Sequence, residues 1–172
     1  TVAVVAGDVQ HQEVVSLLDQ HLGNWKPRAT SSWFPVTDTQ TEPQFSLEHR
    51  LSDQTHICIG FKGLSSTHPD RYDLNLLNTI IGEGMSSRLF MELRERQGLA
   101  YDVHSNLNHL LDCGSMIIYA GVTPSKVYQA VSSILSELSA MKKGITIDEL
   151  GKSREFTKGR LLLRMEDTRS VA

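Results

Sequence analysis

Apolar positions along the chain follow two periods, and each period predicts a different kind of element. Continuous or alternating apolar runs predict strands at 1–6, 45–49, 55–61, 101–111 and 114–122. Apolar residues at helical spacing predict helices at 10–22, 69–81, 86–96, 124–143 and 146–165. In chain order this is βα, a linker, then ββααββαα. Paired strands with helices between them predict an α+β fold, with one antiparallel-rich sheet covered by helices.

Capping residues mark several ends of these predicted elements. Gly98 suits the position just after a helix, where a left-handed backbone is common. Thr123 and Pro124 suit an N-cap followed by a first helical residue. Residues 146–149, with Thr first and Glu last, form a capping-box pattern that predicts the start of the last helix.

The segment 24–43 differs from the rest of the chain in composition. It is rich in Pro, Thr and Ser, and it contains Trp25, Trp33 and Phe34. This composition predicts a linker that crosses the surface. We expect its aromatic side chains to hold it in place by packing rather than to bind a ligand.

Composition narrows the class of protein. The chain has 172 residues, of which 40% are hydrophobic, and its formal net charge is -3. This size predicts one globular domain, with room for a piece of another. The sequence shows no basic stripe, so we expect no nucleic-acid partner, and its apolar runs are too short to predict a membrane span. Cys58 and Cys113 lie in strand-like runs and are expected to be buried free thiols.

No metal-binding or nucleophile motif is evident from the residues alone. Neither an HExxH nor an HxxEH pattern occurs. His104 and His109 would point to opposite faces of a regular strand. His49 and His56 could face each other across a hairpin, but two histidines without a third ligand make a poor zinc site. The charged residues around Arg94, taken alone, indicate a solvated helix face.

One segment adds a specific resemblance. Residues 82–101 read GEGMSSRLFMELRERQGLAY. This stretch resembles the signature of the second homologous domain in pitrilysin-type zinc peptidases, which include the mitochondrial processing peptidases. The segments 2–22, 60–72, 114–122 and 146–168 also resemble that family, so the resemblance covers essentially the whole chain.

The resemblance implies a fold and a division of the chain. Family members have two domains that face each other across a cleft. Both domains share an α+β, ferredoxin-like layout with helices on one side of the sheet. We therefore expect 1–23 to be the closing strand and helix of a preceding domain, 24–44 a linker, and 45–172 the second domain, truncated at its C-terminus. The zinc-binding HxxEH motif lies in the family's first half and is missing here. Zinc is thus expected in the parent protein only, and no residue of this chain is expected to bind a metal or another cofactor.

The resemblance also implies two site residues, Arg94 and Tyr101. In the family, an arginine on the signature helix and a tyrosine seven residues later complete the site from across the cleft. Arg94 would bind a carbonyl of the substrate backbone, and Tyr101 would donate a hydrogen bond to the developing oxyanion. A guanidinium offers a fixed fork of donors, and a phenol aimed at a forming charge is an oxyanion-hole device. Arg88 is expected to brace the helix rather than to touch substrate.

The function so implied is that of a substrate-binding, noncatalytic half of a zinc metalloendopeptidase, inactive on its own. Its expected partners are a peptide substrate, the HxxEH-bearing half or sister subunit, and possible further copies of itself. The alternative is an HxxEH-less partner subunit or a structural core-type subunit of the same family. The short break at 82–84 favours the general bacterial type over a presequence-receptor subunit with a long glycine-rich loop. The cytoplasm is favoured over the periplasm, and neither substrate nor cleavage preference is indicated.

Overall fold

Three antiparallel strands form one sheet in this protein. The structure, a computed structural model, describes residues 2–29 and 32–172, and the sheet is the one found among them. The strands are β1 (Thr55–Lys62), β2 (Ala100–His109) and β3 (Gly114–Val122), in the order β1-β3-β2. The central strand β3 therefore forms hydrogen bonds on both of its sides, with β1 and with β2. The predicted pairing of 101–111 with 114–122 is confirmed, and β1 joins from the other side.

Helices connect and follow these strands. They are α1 (His11–Leu22), α2 (Arg71–Gly82), a π-helix (Phe90–Arg96), a 3₁₀ turn (Pro124–Lys126), α3 (Val127–Met141), α4 (Ile147–Met165) and α5 (Thr168–Val171). The helices predicted at 10–22, 69–81, 124–143 and 146–165 are confirmed to within a few residues at their ends. The predicted α+β class is thereby confirmed. Within the described residues, no helix is both long and apolar enough to cross a bilayer.

The hydrophobic core lies on one face of the sheet. Strand alternation turns Ile118 of β3 toward this face, where its side chain is fully buried, with Ile57 and Ile59 of β1 beside it. α2, the π-helix and α3 cover the same face, with buried side chains that include Ile81, Leu89, Leu93, Ala130 and Ile134. The apolar stripe that predicted α3 is thus the side of that helix that packs on the sheet.

The chain divides into two compact units. The larger comprises residues 35–157 and contains the whole sheet. The smaller contains the described residues up to 34 together with 158–172. Within the smaller unit, α1 presents Val14, Leu18 and Leu22 as its half-buried positions. The domain limits expected from the resemblance, at 1–23, 24–44 and 45–172, stay a prediction.

Two predicted strands do not form. Thr1 lies outside the described residues, and 2–6 is neither paired nor buried. The segment 45–49 is likewise unpaired, with Phe45 and Leu47 88% and 79% exposed. An apolar or alternating run becomes a strand only where another backbone accepts its hydrogen bonds, and no described segment does so here. Without this hairpin, His49 does not face His56 across a turn.

The linker aromatics and the cysteines also differ from expectation. Trp25, Trp33 and Phe34 are all exposed, Phe34 to 97%, so the predicted packing of these rings is wrong. Both cysteines are free thiols, as predicted, but neither is buried. Cys58 alternates with Ile57 and Ile59 along β1, so its side chain points away from the core. Cys113 is half-buried in the turn between β2 and β3.

Gly82 sets how closely α2 can approach β2. A Cβ at this position would lie 2.7 Å from both Cβ and the backbone N of Ser105. We expect Gly82→Ala to lower the free energy of unfolding by about 1–3 kcal/mol, because the added methyl group overpacks this contact. The measurement is a urea or guanidinium unfolding curve followed by circular dichroism.

Gly151 of α4 provides a matched control for this substitution. It is also helical, but a Cβ there would meet nothing within 4 Å. Gly151→Ala is therefore expected to raise stability by about 0.5–1 kcal/mol, through helix propensity alone. Equal effects of the two substitutions would contradict the close approach at Gly82.

Candidate functional site

The helix at 90–96 is wound more widely than an α-helix. The backbone N–H of Gln97 donates to the carbonyl of Glu92 at 3.0 Å, five residues back, and that of Leu99 donates to Leu93 at 2.7 Å. Gly98, between them, has φ of 57°, in the left-handed region that suits the predicted helix end. The predicted helix is thus present, but as a π-helix, a winding that is frequent at functional sites.

Arg94 lies on the exposed side of this π-helix. Its guanidinium carbon is 5.0 Å from the ring centroid of Phe90, a cation–π distance. Among the residues that the structure describes, no carboxylate lies within 4.0 Å of the Arg94 guanidinium. Its neighbour Leu93 is fully buried and anchors the helix in the core. The five N–H donors of Arg94 therefore stand on a fixed element and are free of competing charges.

Tyr101 occupies a β-bulge at the start of β2. Ala100 pairs with Val122 and Asp102 pairs with Gly121, so Tyr101 is an extra residue with no cross-strand partner. Val103 of this strand faces the core, and strict alternation back from it would bury Tyr101. The bulge instead turns Ala100 inward and leaves Tyr101 63% exposed. Bulges commonly redirect a side chain in this way next to active sites.

Side-chain hydrogen bonds tie the turn between Arg94 and Tyr101 to its surroundings. Nε2 of Gln97 donates to Glu92 at 2.7 Å, and Oγ of Ser133 in α3 donates to Oε1 of Gln97 at 3.0 Å. Glu92 also pairs with Arg96 at 2.9 Å. The hydrogen bond from Gln97, and then the one from Arg96, hold the pKa of Glu92 below its ordinary value against the opposing effect of burial. Lys126 donates to the carbonyl of Gly98 at 3.0 Å.

Sequence reasoning missed this set of contacts for a definite reason. Glu92 and Gln97 are five residues apart, which does not place two side chains together on an α-helix. The wider π winding brings them together. No periodicity in the sequence signals that winding.

Arg88 precedes the π-helix and is held by an ion pair. Its Nε and Nη2 lie 2.6 and 2.9 Å from the two carboxylate oxygens of Glu149, the two-point geometry of a strong pair. The same carboxylate accepts from the backbone and side chain of Thr146, both at 2.9 Å, and the Glu149 N–H donates back to the Thr146 hydroxyl. The capping box is thus confirmed, and Arg88 links it to the π-helix, in agreement with a bracing role.

Three histidines of the larger unit contact neighbouring side chains or backbone. His109 contacts the Leu64 carbonyl at 2.6 Å and the Asn75 side chain at 3.0 Å. His104 and His56 both stack on the Tyr119 ring. Across residues 2–29 and 32–172, the donor side chains nowhere form a group of three or more that could hold a metal ion. The described side chains therefore do not by themselves fit a zinc site.

Arg94 and Tyr101 lie on open surface rather than in a pocket. An apolar pocket of about 360 Å³ beside α2 is lined by leucines and by Asp70 and Asp73, and includes neither site residue. Arg94 and Tyr101 are thus two exposed hydrogen-bond donors, seven residues apart in the chain. A second surface facing them would be needed to enclose a substrate.

The family is shown by direct comparison. The model of the peptidase M16 inactive domain matches residues 1–156. This match covers the whole sheet and most of the helices described above. The chain belongs to the peptidase M16 family, as one of its inactive C-terminal domains.

Relatives of the chain are named zinc proteases of bacteria. The chain is 35% identical to the uncharacterized zinc protease YmxG of Bacillus subtilis, over 96% of the chain and 40% of the relative. It is 36% identical to the uncharacterized zinc protease SCO5738 of Streptomyces coelicolor, over 97% of the chain and 38% of the relative. The crystal structure of a protease from Helicobacter pylori matches with a TM-score of 0.78 and 27% identity, over 96% of this chain and 42% of that one. The chain thus spans about two fifths of the length of these relatives.

The ion pair between Arg88 and Glu149 predicts a pH dependence. Arg88 lowers the pKa of Glu149 from 4.5 to about 2, with help from the hydrogen bonds of Thr146 and against the effect of burial. Because the folded-state pKa is depressed, the pair stabilises the fold above pH 4.5, and this contribution is lost as pH falls from about 4.5 to 2. We expect Glu149→Gln to be less stable than the parent at pH 7 and to lose less stability over that interval.

The measurement is the denaturant midpoint at several pH values from 7 to 2. The matched control is Asp148→Asn, which changes an exposed carboxylate one position earlier in α4. The control is expected to keep the parent's loss of stability below pH 4.5. The same loss in Glu149→Gln as in the parent would show that the ion pair does not cause it.

Proposed function

We propose that the chain is the substrate-binding, noncatalytic half of a zinc metalloendopeptidase. The observation that supports this most strongly is the placement of Arg94 and Tyr101. Both are exposed donors, Arg94 on a π-helix and Tyr101 in a β-bulge, and seven residues separate them. Membership in the M16 inactive-domain family makes a peptide the natural ligand for such donors.

Arg94 is proposed to bind the backbone of the peptide substrate. Its guanidinium carries a fixed fork of donors that can reach a carbonyl oxygen, and no carboxylate among the described residues competes for it. The Phe90 ring on one side limits the positions that this flexible side chain can take. Less conformational entropy is then lost when the peptide binds.

Tyr101 is proposed to stabilise the oxyanion that forms on the scissile carbonyl. A phenol donates one hydrogen bond, and a donor aimed at developing charge lowers the barrier more than one aimed at the ground state. The bulge fixes the backbone of Tyr101 on the strand while leaving its side chain exposed. The tyrosine can therefore meet a substrate held on a facing surface.

The zinc and the general base are proposed to belong to a separate half that carries HxxEH. The donor geometry of this chain does not fit a metal site, so on its own the chain is expected to bind no catalytic zinc and to hydrolyse no peptide. Its partners would be that half, or a sister subunit with the same motif, and the peptide enclosed between them. Self-association into a homo-oligomer is a further arrangement in which two such surfaces could meet.

Removal of one hydroxyl tests the role of Tyr101. In the zinc-loaded protein that contains this chain and the HxxEH half, Tyr101→Phe is expected to lower kcat by about 10²-fold, the effect of losing one oxyanion donor. The measurement is steady-state hydrolysis of an internally quenched peptide. Tyr128→Phe is the matched control, since Tyr128 is 89% exposed on α3 and should leave kcat unchanged. An unchanged kcat in Tyr101→Phe would refute the assignment.

Replacement of the guanidinium tests the role of Arg94. Arg94→Lys keeps the positive charge but loses the fork of donors, and we expect KM for the same peptide to rise about 10-fold. Arg50→Lys is the control, because Arg50 is an exposed arginine paired only with a surface carboxylate. If the two lysine variants had the same KM, Arg94 would not bind the substrate.

A further inference from the structure

We infer that Gln97 is a positioning residue that sets where Arg94 and Tyr101 stand relative to each other. This inference rests on the proposed function of that pair. Gln97 is three residues after Arg94 and four before Tyr101, at the end of the π-helix. It does not reach the reacting atoms itself, and acts through the backbone between the two donors.

The amide of Gln97 is bonded at both ends. Its Nε2 donates to Oε1 of Glu92 at 2.7 Å, and its Oε1 accepts from Ser133 Oγ at 3.0 Å. Glu92 lies within the π-helix and Ser133 lies in α3, whose Ile134 is buried in the core. The side chain therefore joins the end of the π-helix to a packed element. We call Glu92, Gln97 and Ser133 the amide clamp.

Beyond the clamp, the N–H of Leu99 bonds back to the Leu93 carbonyl at 2.7 Å, and few side chains hold the turn. Gly98 adopts a positive φ, a conformation that glycine leaves easily. Lys126 also donates to the Gly98 carbonyl at 3.0 Å, through a long and flexible side chain. Tyr101 then enters β2 as the bulged residue, between Ala100 and Asp102, which both pair with β3. The clamp is thus the side-chain link that ties this turn to α3.

The polarity of the clamp permits an isosteric test. Gln97→Glu removes the Nε2 donor and places a carboxylate against that of Glu92, so the clamp should open. The double variant Glu92→Gln with Gln97→Glu exchanges the two groups. The new glutamine at 92 can donate to the new glutamate at 97, which still accepts from Ser133. The double variant also keeps the parent's net charge, so general electrostatic effects on the substrate cancel.

We expect Gln97→Glu to lower kcat/KM for the quenched peptide by about 100-fold, the scale of a misplacement of about 1 Å. The double variant should return to within about threefold of the parent. The structural control is Ile134→Val, which loosens α3 without touching the clamp. Ile134→Val should keep the parent's kcat/KM even when its loss in Tm is similar to that of Gln97→Glu. The inference would be overturned if the double variant did not restore the kcat/KM that Gln97→Glu loses. It would also be overturned if Ile134→Val lowered kcat/KM as much as Gln97→Glu does.

Hydrogen exchange gives a readout that does not require activity. In the same protein, Gln97→Glu should speed amide exchange in a peptide covering 97–102, and the double variant should restore protection. Exchange equal to that of the parent in Gln97→Glu would show that the clamp does not hold this segment, and would also overturn the inference.

The outcomes separate this inference from the function on which it rests. If Tyr101→Phe and Arg94→Lys leave the kinetics unchanged, the proposed function fails, whatever the exchange data show. If those two variants lose activity while Gln97→Glu keeps it, the proposed function stands and only the positioning role of Gln97 fails.

Discussion

The structure depends on the burial of one face of a sheet only three strands wide. The central strand β3 is hydrogen-bonded on both sides, and Ile118 at its middle is fully buried beneath the helices. The apolar face of a single sheet forms a core only when another layer covers it. The helices that cover this face are therefore as necessary as the strands. The close contact of Gly82 with Ser105 and the buried Leu93 of the π-helix both serve this covering layer.

Function is proposed where this packing is least regular. The π-helix and the β-bulge follow each other within a dozen residues, and each carries one of the two proposed site residues. Each irregularity leaves the buried side intact, with Leu93 and Ala100 turned inward. Each also turns a polar side chain, Arg94 or Tyr101, to the solvent. Rigid elements with local deviations place donors more exactly than a mobile loop could.

The regular parts of this fold are predictable from the sequence, and the irregular parts are not. Helical spacing and the box at 146–149 predict α3 and α4, because their signals are local and their partners lie within a few residues. The runs at 2–6 and 45–49 predict strands that do not form, since pairing is a property of distant backbone. Arg94 and Tyr101 were indicated by the resemblance of a long motif, whereas charge and spacing alone suggested a solvated helix face. The Glu92–Gln97 contact was not predictable, because it requires the π winding.

The bulge at Tyr101 has a consequence for how such a chain can change in evolution. The residues on either side of Tyr101 pair with consecutive residues of β3, so the ladder is complete without it. Deletion of this one residue would leave a regular strand with Ala100 and Asp102 still opposite Val122 and Gly121. The cross-strand pairing does not use the residue, whereas the chemistry proposed for it does. A descendant that no longer needs that chemistry could therefore lose the tyrosine by deletion of a single codon and keep the strand pairing. A relative with that deletion would have changed its role without changing its architecture.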